Sequence, residues 1–180
     1  MRVVAGTARG TVLKTPDGMK TRPTADRVKE ALFSIIQFEL PGASVLDLFG
    51  GTGQLGIEAL SRGAKKAVFV DASDAACCLI RENLRRTSFL EHARVIRGDF
   101  RNYLKNATEK YDIIFLDPPY MEEFLEISLK MITEIDILQS GGIIVTERPE
   151  QKELSVDMVG FARSRDYRYG KAVLTVFRKE

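Results

Sequence analysis

Residues 45–56 constrain the fold of this chain more than any other segment. They read Val-Leu-Asp-Leu-Phe-Gly-Gly-Thr-Gly-Gln-Leu-Gly, a run of apolar residues followed by a glycine-rich turn and then by a helical pattern. A buried strand that leads through glycines into a helix is typical of sheets that hold a ligand at the start of that helix. We therefore expect a parallel α/β sheet with a ligand site beside this turn.

The alternation of apolar strand-like runs and helical stretches continues along the chain. The expected strands are residues 45–49, 67–70, 94–97, 113–116 and 143–147. The expected helices are residues 55–61, 75–86, 100–105 and 123–135. Two further β-rich runs, 160–167 and 172–177, leave no room for a helix between them. The sequence thus predicts an α/β fold with a doubly wound, mainly parallel, seven-stranded sheet that ends in an antiparallel C-terminal hairpin.

The first 40 residues are expected to form a small N-terminal β-hairpin and a helix. Extended pieces at 2–5 and 11–14 predict the hairpin, and an apolar repeat that stops before Pro41 predicts the helix. Residues 1–30 contain seven Lys and Arg against three Asp and Glu, whereas residues 31–180 contain 20 against 22. Such a localised basic segment is typical of proteins that bind the phosphate backbone of a nucleic acid. The alternative is a pair of surface strands whose charges are only solvated.

The remaining composition bears on location and chemistry. No apolar stretch reaches the roughly 18 to 20 residues of a membrane span, and residues 1–6 lack the apolar run of a signal peptide, so we expect a cytoplasmic protein. Cys77 and Cys78 are adjacent in an expected helix, which indicates packing residues rather than a disulfide. The single histidine, His92, has no cluster of partners and is interpreted as a loop residue.

Asp47 decides between two ligands for the glycine turn. Gly51, Gly53 and Gly56 match the GxGxxG pattern of dinucleotide sites, in which a pyrophosphate lies at the helix start. A carboxylate at the end of the strand would repel that pyrophosphate but suits the ammonium group of a methionine moiety. We therefore expect S-adenosylmethionine to lie against Asp47, Phe49 and these glycines, where a Cβ would intrude. A dinucleotide site and a purely structural turn are the alternatives.

Two further acids follow later strands at the same edge. Asp71 ends the second strand, where an acid can accept hydrogen bonds from both ribose hydroxyls. The alternative is a helix N-cap, for which Ser73 and Asp74 are better placed. Asp99 follows the third strand and is a candidate acceptor for the adenine amino group, with Phe100 packed on the ring, unless Asp99 only caps a helix.

The fourth strand delivers Asp117-Pro118-Pro119-Tyr120 to this edge. An aromatic-ring amine is a poor nucleophile because its lone pair is delocalised, so acceptors that turn this lone pair toward a methyl group favour reaction. The Asp117 carboxylate and the Pro118 carbonyl are such acceptors, and the prolines remove backbone donors. Tyr120 can stack on a flipped-out base. The segment predicts methyl transfer to a base amine, which requires no metal, whereas a strand-ending turn is the structural alternative.

Together these motifs resemble the RsmD family of bacterial 16S ribosomal RNA guanine-N2 methyltransferases nearly end to end. The matching segments are Arg-Val-Val-Ala-Gly at 2–6, Leu-Lys-Thr-Pro at 13–16, Thr-Arg-Pro-Thr at 21–24, Asp-Arg-Val-Lys-Glu-Ala-Leu-Phe at 26–33, Asp-Leu-Phe with its glycines from 47, Leu-Gly-Ile-Glu-Ala-Leu-Ser-Arg-Gly at 55–63, Asp-Pro-Pro-Tyr at 117–120 and Tyr-Gly-Lys at 169–171. One position departs from this pattern, because the family more often has alanine at Gly50.

The resemblance implies a Rossmann-like methyltransferase fold and a division of labour along the chain. Residues 41–180 would bind S-adenosylmethionine and the guanine, and residues 1–40 would contact RNA. The implied RNA-binding residues are Arg2, Arg9, Arg22 and Arg27. The partner would be ribosomal RNA or the small ribosomal subunit, and we expect a monomer that uses neither metal nor membrane.

The choice of base rests on the resemblance alone. Asp-Pro-Pro-Tyr also occurs in adenine-N6 and cytosine-N4 methyltransferases, so an enzyme of that kind acting on DNA or RNA is an alternative. A non-catalytic RNA-binding assembly factor that kept the fold is another. The intact Asp47 and the intact 117–120 segment argue against that second alternative.

Overall fold

A computed structural model of the chain describes residues 1–16, 23–119 and 123–180. The strands are β1 (Ser44–Asp47), β2 (Lys66–Asp71), β3 (Ala93–Arg97), β4 (Tyr111–Leu116), β5 (Leu138–Pro149), β6 (Phe161–Arg163), β7 (Tyr167–Tyr169) and β8 (Ala172–Lys179). The helices are α1 (Pro23–Ile35), α2 (Gln54–Ser61), α3 (Asp74–Arg86), α4 (Phe100–Asn106) and α5 (Phe124–Glu134). None of these described helices is long and apolar enough to cross a membrane.

All strands belong to one sheet, in the order β3-β2-β1-β4-β5-β8-β6, with β7 also paired to β8. Strands β1 to β5 pair in parallel, as the alternation with helices predicted. The strand order changes direction between β1 and β4, so the carboxyl ends of these two strands border a crevice. Open α/β sheets bind their ligands in this crevice, and the predicted Rossmann-like fold is confirmed.

Side chains along the central strands alternate between two apolar layers, because successive residues of a strand point to opposite faces. Val45 and Phe115 pack in the layer that also holds buried residues of α1, α2 and α3. Leu46 and Leu116 pack in the opposite layer, with buried residues of α4 and α5. A sheet covered by helices on both faces has strands whose centres are apolar throughout, which is why residues 45–46 of β1 and 113–116 of β4 are apolar without interruption.

The C-terminal strands are antiparallel, and one of them is interrupted. β6 pairs with the last part of β8 and β7 with its first part, so the two short strands lie end to end along β8. Between them, the Ser164 Oγ accepts a hydrogen bond from the Val176 N–H at 3.1 Å, and Thr175 donates to Asp166 at 2.7 Å. One backbone bond remains here, because the Ser164 N–H donates to the Val176 carbonyl at 2.8 Å, and the two side-chain bonds supplement it. Within the described residues the sheet therefore has eight strands, because two occupy the position that the sequence assigned to one.

The N-terminal hairpin is reduced to one antiparallel bridge, between Arg2 and Val12. Its backbone donors are partly used elsewhere, because the buried carboxylate of Glu58 on α2 accepts hydrogen bonds from Val4 N–H at 2.8 Å and Ala5 N–H at 3.0 Å. The segment also comes very close to the end of α2. Gly6 has φ +83°, and a Cβ there would lie 1.7 Å from the carbonyl oxygen of Ser61.

Candidate active site

The glycine turn follows β1 and is tied to β2. Gly51 has φ +55° and Gly53 has φ +79°, a left-handed backbone that favours glycine. The Gly51 N–H donates to the Asp71 carboxylate at 2.8 Å. Gly56 has a different role from the one expected, because a Cβ there would lie 2.3 Å from the Phe69 ring. Gly56 thus allows α2 to pack on β2, and it does not line either of the two cavities described below.

Asp47 is a buried carboxylate with an unused acceptor. Its Oδ2 accepts a hydrogen bond from the Gly56 N–H at 3.1 Å, whereas its Oδ1 has no hydrogen-bond partner among the described residues. Burial raises the pKa of Asp47 to about 7, the Gly56 N–H opposes this, and the charge of Asp71 adds to it. A buried carboxylate without a cation is costly, so this position is suited to a ligand that brings a positive charge.

Asp71 holds backbone groups on both sides of the β2 end. Its Oδ1 accepts from the Ser73 N–H at 2.8 Å, while its Oδ2 holds Gly51. Ser73, and not Asp71, is the N-cap of α3, with its Oγ accepting from the Ala76 N–H. Each carboxylate oxygen can accept a second hydrogen bond, so Asp71 can still accept hydrogen bonds from ribose hydroxyls.

Asp99 caps α4, which is the alternative that the sequence left open. Its Oδ1 accepts from the Arg101 N–H at 2.8 Å, and the Arg101 guanidinium lies 3.3 Å from its Oδ2. Capping leaves lone pairs on Oδ2, so a bond to an adenine amino group is compatible with it.

Three aromatic rings form one wall beside Asp99. Phe100 lies 5.1 Å from Phe49 and 5.1 Å from Phe124 between ring centroids. The guanidinium of Arg101 covers the rings of Phe100 and Phe124 at 4.6 and 5.1 Å. Such a wall can hold a flat heterocycle. The sequence did not single out Phe124, which is there one apolar residue of the expected helix 123–135.

Two cavities meet at the carboxyl edge of β1 and β4. One, of about 660 Å³, brings together most of the predicted site; its lining includes Phe49, Gly51, Asp71, Asp99, Phe100, Asp117, Pro118 and Pro119. The other, of about 500 Å³, is lined by Asp47, Phe49, Gly51 and Asp117 and also by N-terminal residues, namely Met1, Lys14, Thr15 and Pro16. Because Phe49, Gly51 and Asp117 border both cavities, the two spaces adjoin at these residues.

Asp117 stands where the two cavities adjoin. Burial raises the pKa of its carboxyl well above the usual range, and the carboxylates of Glu147 and Asp47 raise it further. Pro118 is buried and Pro119 is exposed. Tyr120 lies outside the described residues. Among the described side chains, no group of three His, Cys, Asp or Glu is arranged to hold a metal ion.

The sequence did not indicate that N-terminal residues line the cavity of about 500 Å³. The backbone of Lys14 is hydrogen-bonded to the side chain of Asn83, a fully buried residue of α3. The Asn83 amide also donates to the carbonyl of Thr52 in the glycine turn at 2.9 Å. An asparagine within a polar helix carries no sequence signal for such a role.

The predicted RNA-binding arginines are exposed wherever they are described. Arg2, Arg9 and Arg27 have no ion-pair partner in the described ranges, and Arg2 and Arg9 line a common surface groove of about 250 Å³. Arg22 lies outside the described residues. By contrast, Arg163 and Arg168 near the C-terminus are paired with acidic side chains.

Several known proteins have the same fold and are similar in sequence. A family model described as Conserved hypothetical protein 95 matches residues 1–178. The Bacillus subtilis protein YlbH is 38% identical over 182 residues, which cover 99% of each chain. The Haemophilus influenzae protein named Ribosomal RNA small subunit methyltransferase D is 34% identical over 157 residues, covering 86% of this chain and 81% of its own. The solved structure of yhhF from Escherichia coli has a TM-score of 0.87 at 29% identity and covers 100% of this chain and 98% of its own. The chain therefore belongs to the Conserved hypothetical protein 95 family, the RsmD methyltransferase family that its motifs resemble.

Proposed function

We propose that this protein transfers the methyl group of S-adenosylmethionine to the exocyclic N2 amine of a guanine in 16S ribosomal RNA. The observation that carries the proposal is the meeting of two cavities at Asp117. One has Asp71, Asp99 and aromatic rings for the adenosine part of the cofactor, and the other has Asp47 for its methionine part and is bordered by the N-terminal segment. The relatives named as small-subunit ribosomal RNA methyltransferases support the choice of RNA. The guanine rests on the family resemblance.

The cofactor fits the charges and shapes of the site. The unpartnered Oδ1 of Asp47 is placed to accept a hydrogen bond from the methionine ammonium group. Asp71 would accept from the ribose hydroxyls, and Asp99 from the adenine amino group. Phe100 would pack on the adenine ring. When bound, the cofactor supplies a methyl group on a positively charged sulfur, which leaves as a neutral thioether with the bonding electron pair.

Asp117 and Pro118 would prepare the amine for this transfer. The Asp117 carboxylate and the Pro118 carbonyl accept the two N2 hydrogens, which turns the nitrogen lone pair toward the methyl carbon. As the new N–C bond forms, N2 becomes positively charged and must lose one of its protons. The Asp117 carboxylate already accepts a hydrogen bond from that proton. Because the pKa of Asp117 is raised, this carboxylate is suited to take the proton from N2. Tyr120 would stack on the base.

Residues 1–40 would contribute the RNA contacts. The cations of Arg2, Arg9 and Arg27 are exposed and unpaired within the described part of the chain, so binding to phosphates would not first require the loss of an ion pair. Arg22 is expected to act with them. We propose that a monomer binds ribosomal RNA or the small subunit in this way.

Methyl transfer can be tested directly. Purified protein is incubated with methyl-labelled S-adenosylmethionine and with small subunits, or 16S RNA, from cells that lack the enzyme. Nucleoside mass spectrometry should then identify N2-methylguanosine at one position. N6-methyladenosine or N4-methylcytidine would assign the enzyme to another base, and RNA binding without any labelled nucleoside would indicate an assembly factor.

A further inference from the structure

Asp117 has a second carboxylate directly beside it, on the neighbouring strand. β4 and β5 pair in parallel, with Leu116 opposite Thr146 as the last pair. Asp117 and Glu147 are the next residues of the two chains, so their backbones run side by side at the carboxyl edge of the sheet. Paired residues of parallel strands point to the same face. The two carboxylates therefore stand on one face, beside the Pro118–Pro119 segment.

Glu147 is held on a rigid element. β5 continues beyond it to Pro149 and pairs there with β8, with Glu147 opposite Leu174. Leu174 belongs to the apolar layer on the α1, α2 and α3 side, which also receives the N-terminal residue Val3. Glu147 thus stands on the face of the sheet where the proposed RNA-contacting segment packs. Its side chain is only partly buried, so a ligand can reach it, and it borders a small recess together with Pro118 and Pro119.

Like charges placed side by side repel each other, and the Glu147 charge contributes to the raised pKa of Asp117. A ligand with two adjacent hydrogen-bond donors would suit this pair, because each carboxylate can accept a hydrogen bond from one donor.

We propose that Glu147 is a specificity-determining residue that selects guanine by accepting a hydrogen bond from its N1–H while Asp117 accepts one from N2–H. The proposal rests on the function proposed above and addresses the point that the Asp-Pro-Pro-Tyr segment leaves open. Guanine is the only standard base with a primary amine next to a ring N–H. In adenine and cytosine the ring nitrogen beside the amine is an acceptor, whose lone pair would face the Glu147 carboxylate.

The first test uses base analogues with the wild-type protein. Small-subunit RNA is prepared with 2,6-diaminopurine or 2-aminopurine at the methylated position. Both keep the N2 amine and lack N1–H, and they differ from each other at position 6. We expect single-turnover methylation of both analogues to be about 10- to 100-fold slower than that of guanine, the range of a lost hydrogen bond to a charged group. Analogues methylated as fast as guanine would overturn the proposal.

The second test removes the charge with Glu147→Gln. The amide can donate to the ring acceptor of the analogues, so the ratio of guanine to analogue rates should fall toward about one, while the affinity for S-adenosylmethionine stays unchanged. Glu150→Gln is the matched control, because Glu150 lies three residues further on and pairs with Arg168 at the surface. It should keep the wild-type ratio.

The two proposals fail in different ways. If the wild-type protein forms no N2-methylguanosine at all, the proposed function is wrong. If it forms N2-methylguanosine but Glu147→Gln keeps the wild-type preference for guanine over the analogues, only the role of Glu147 is wrong. A loss of activity in Glu147→Gln with an unchanged preference would likewise assign Glu147 a structural role.

Discussion

The side chain of Asn83 is hydrogen-bonded to both backbone groups of Lys14. Its Oδ1 accepts from the Lys14 N–H at 2.7 Å, and its Nδ2 donates to the Lys14 carbonyl at 3.0 Å. The same Nδ2 also reaches Thr52. Lys14 and Thr52 line the same cavity. A single buried amide therefore joins the N-terminal segment to the glycine turn.

Asn83→Ala should loosen both walls of this cavity. It leaves buried backbone groups without partners, which should lower the free energy of unfolding by about 3 kcal/mol. It should also weaken S-adenosylmethionine binding. Urea denaturation and titration calorimetry measure the two effects. Glu82→Ala is the matched control, because Glu82 contacts the same Lys14 through an exposed ion pair. If the two substitutions had equal effects, Asn83 would not be the residue that joins the N-terminal segment to the glycine turn.

Asp47→Asn should stabilise the protein without ligand at high pH. The pKa of Asp47 is raised from 3.8 to about 7, so the folded form binds this proton more tightly than the unfolded chain. The wild-type protein therefore loses stability as the pH rises from about 4 to 7, by roughly 4 kcal/mol, and this loss stays constant above pH 7. Asparagine cannot ionise and can still accept from Gly56. Urea unfolding at pH 5 and pH 8 should show the advantage of Asp47→Asn growing with pH.

The same substitution should abolish measurable binding of S-adenosylmethionine, because the acceptor for its ammonium group loses its charge. Asp157→Asn is the control, since Asp157 is exposed in the loop between β5 and β6. It should leave both the affinity and the pH profile unchanged. Normal cofactor affinity in Asp47→Asn would place the ammonium group elsewhere.

Asp117→Ala should stop methyl transfer while cofactor binding stays near normal. Loss of a group that orients the amine and accepts its proton should reduce the single-turnover rate by about 100- to 10,000-fold. Because burial raises the pKa of Asp117, the wild-type rate should increase with pH as this carboxyl loses its proton. A pH-independent wild-type rate would exclude Asp117 as the proton acceptor.

Arg2→Gln combined with Arg9→Gln should weaken RNA binding and reduce its dependence on salt. Each lost phosphate contact lowers the slope of log K against log salt by about 0.7 to 0.9, so the pair should lower it by about 1.5. Filter binding at several salt concentrations measures this slope. Arg163→Gln with Arg168→Gln is the control, because both arginines are already paired with acidic residues. A larger effect in the control would move the RNA surface to the C-terminal strands.

Local patterns were enough to predict the parallel sheet and the acids at its edge. The strands are apolar runs, and Asp47, Asp71 and Asp117 each stand at a strand end, where parallel strands bring such residues together. The roles of Glu58 and Asn83 could not be predicted. Each is a polar residue in a helix, and its burial depends on contacts with a segment more than 50 residues earlier.

Other features depended on neighbours that the sequence does not reveal. Glu147 read only as part of a strand, since its place beside Asp117 depends on which strands pair and in which register. Gly56 matched a ligand-binding pattern, but its lack of a side chain is required by the ring of Phe69 on β2. The interruption between β6 and β7 is bridged by the side chains of Ser164 and Asp166, which bond to β8, and an apolar and polar pattern does not indicate such contacts.

The anchoring of Val4 and Ala5 by Glu58 also sets an order of events during synthesis. The carboxylate that holds these two N–H groups is made 54 and 53 residues after them. Asn83 follows Lys14 by 69 residues. On the translating ribosome, the basic segment emerges before α2 and α3 but reaches its final position only after these two helices have left the exit tunnel. The segment proposed to bind RNA is thus synthesised before the two helices that hold it in place.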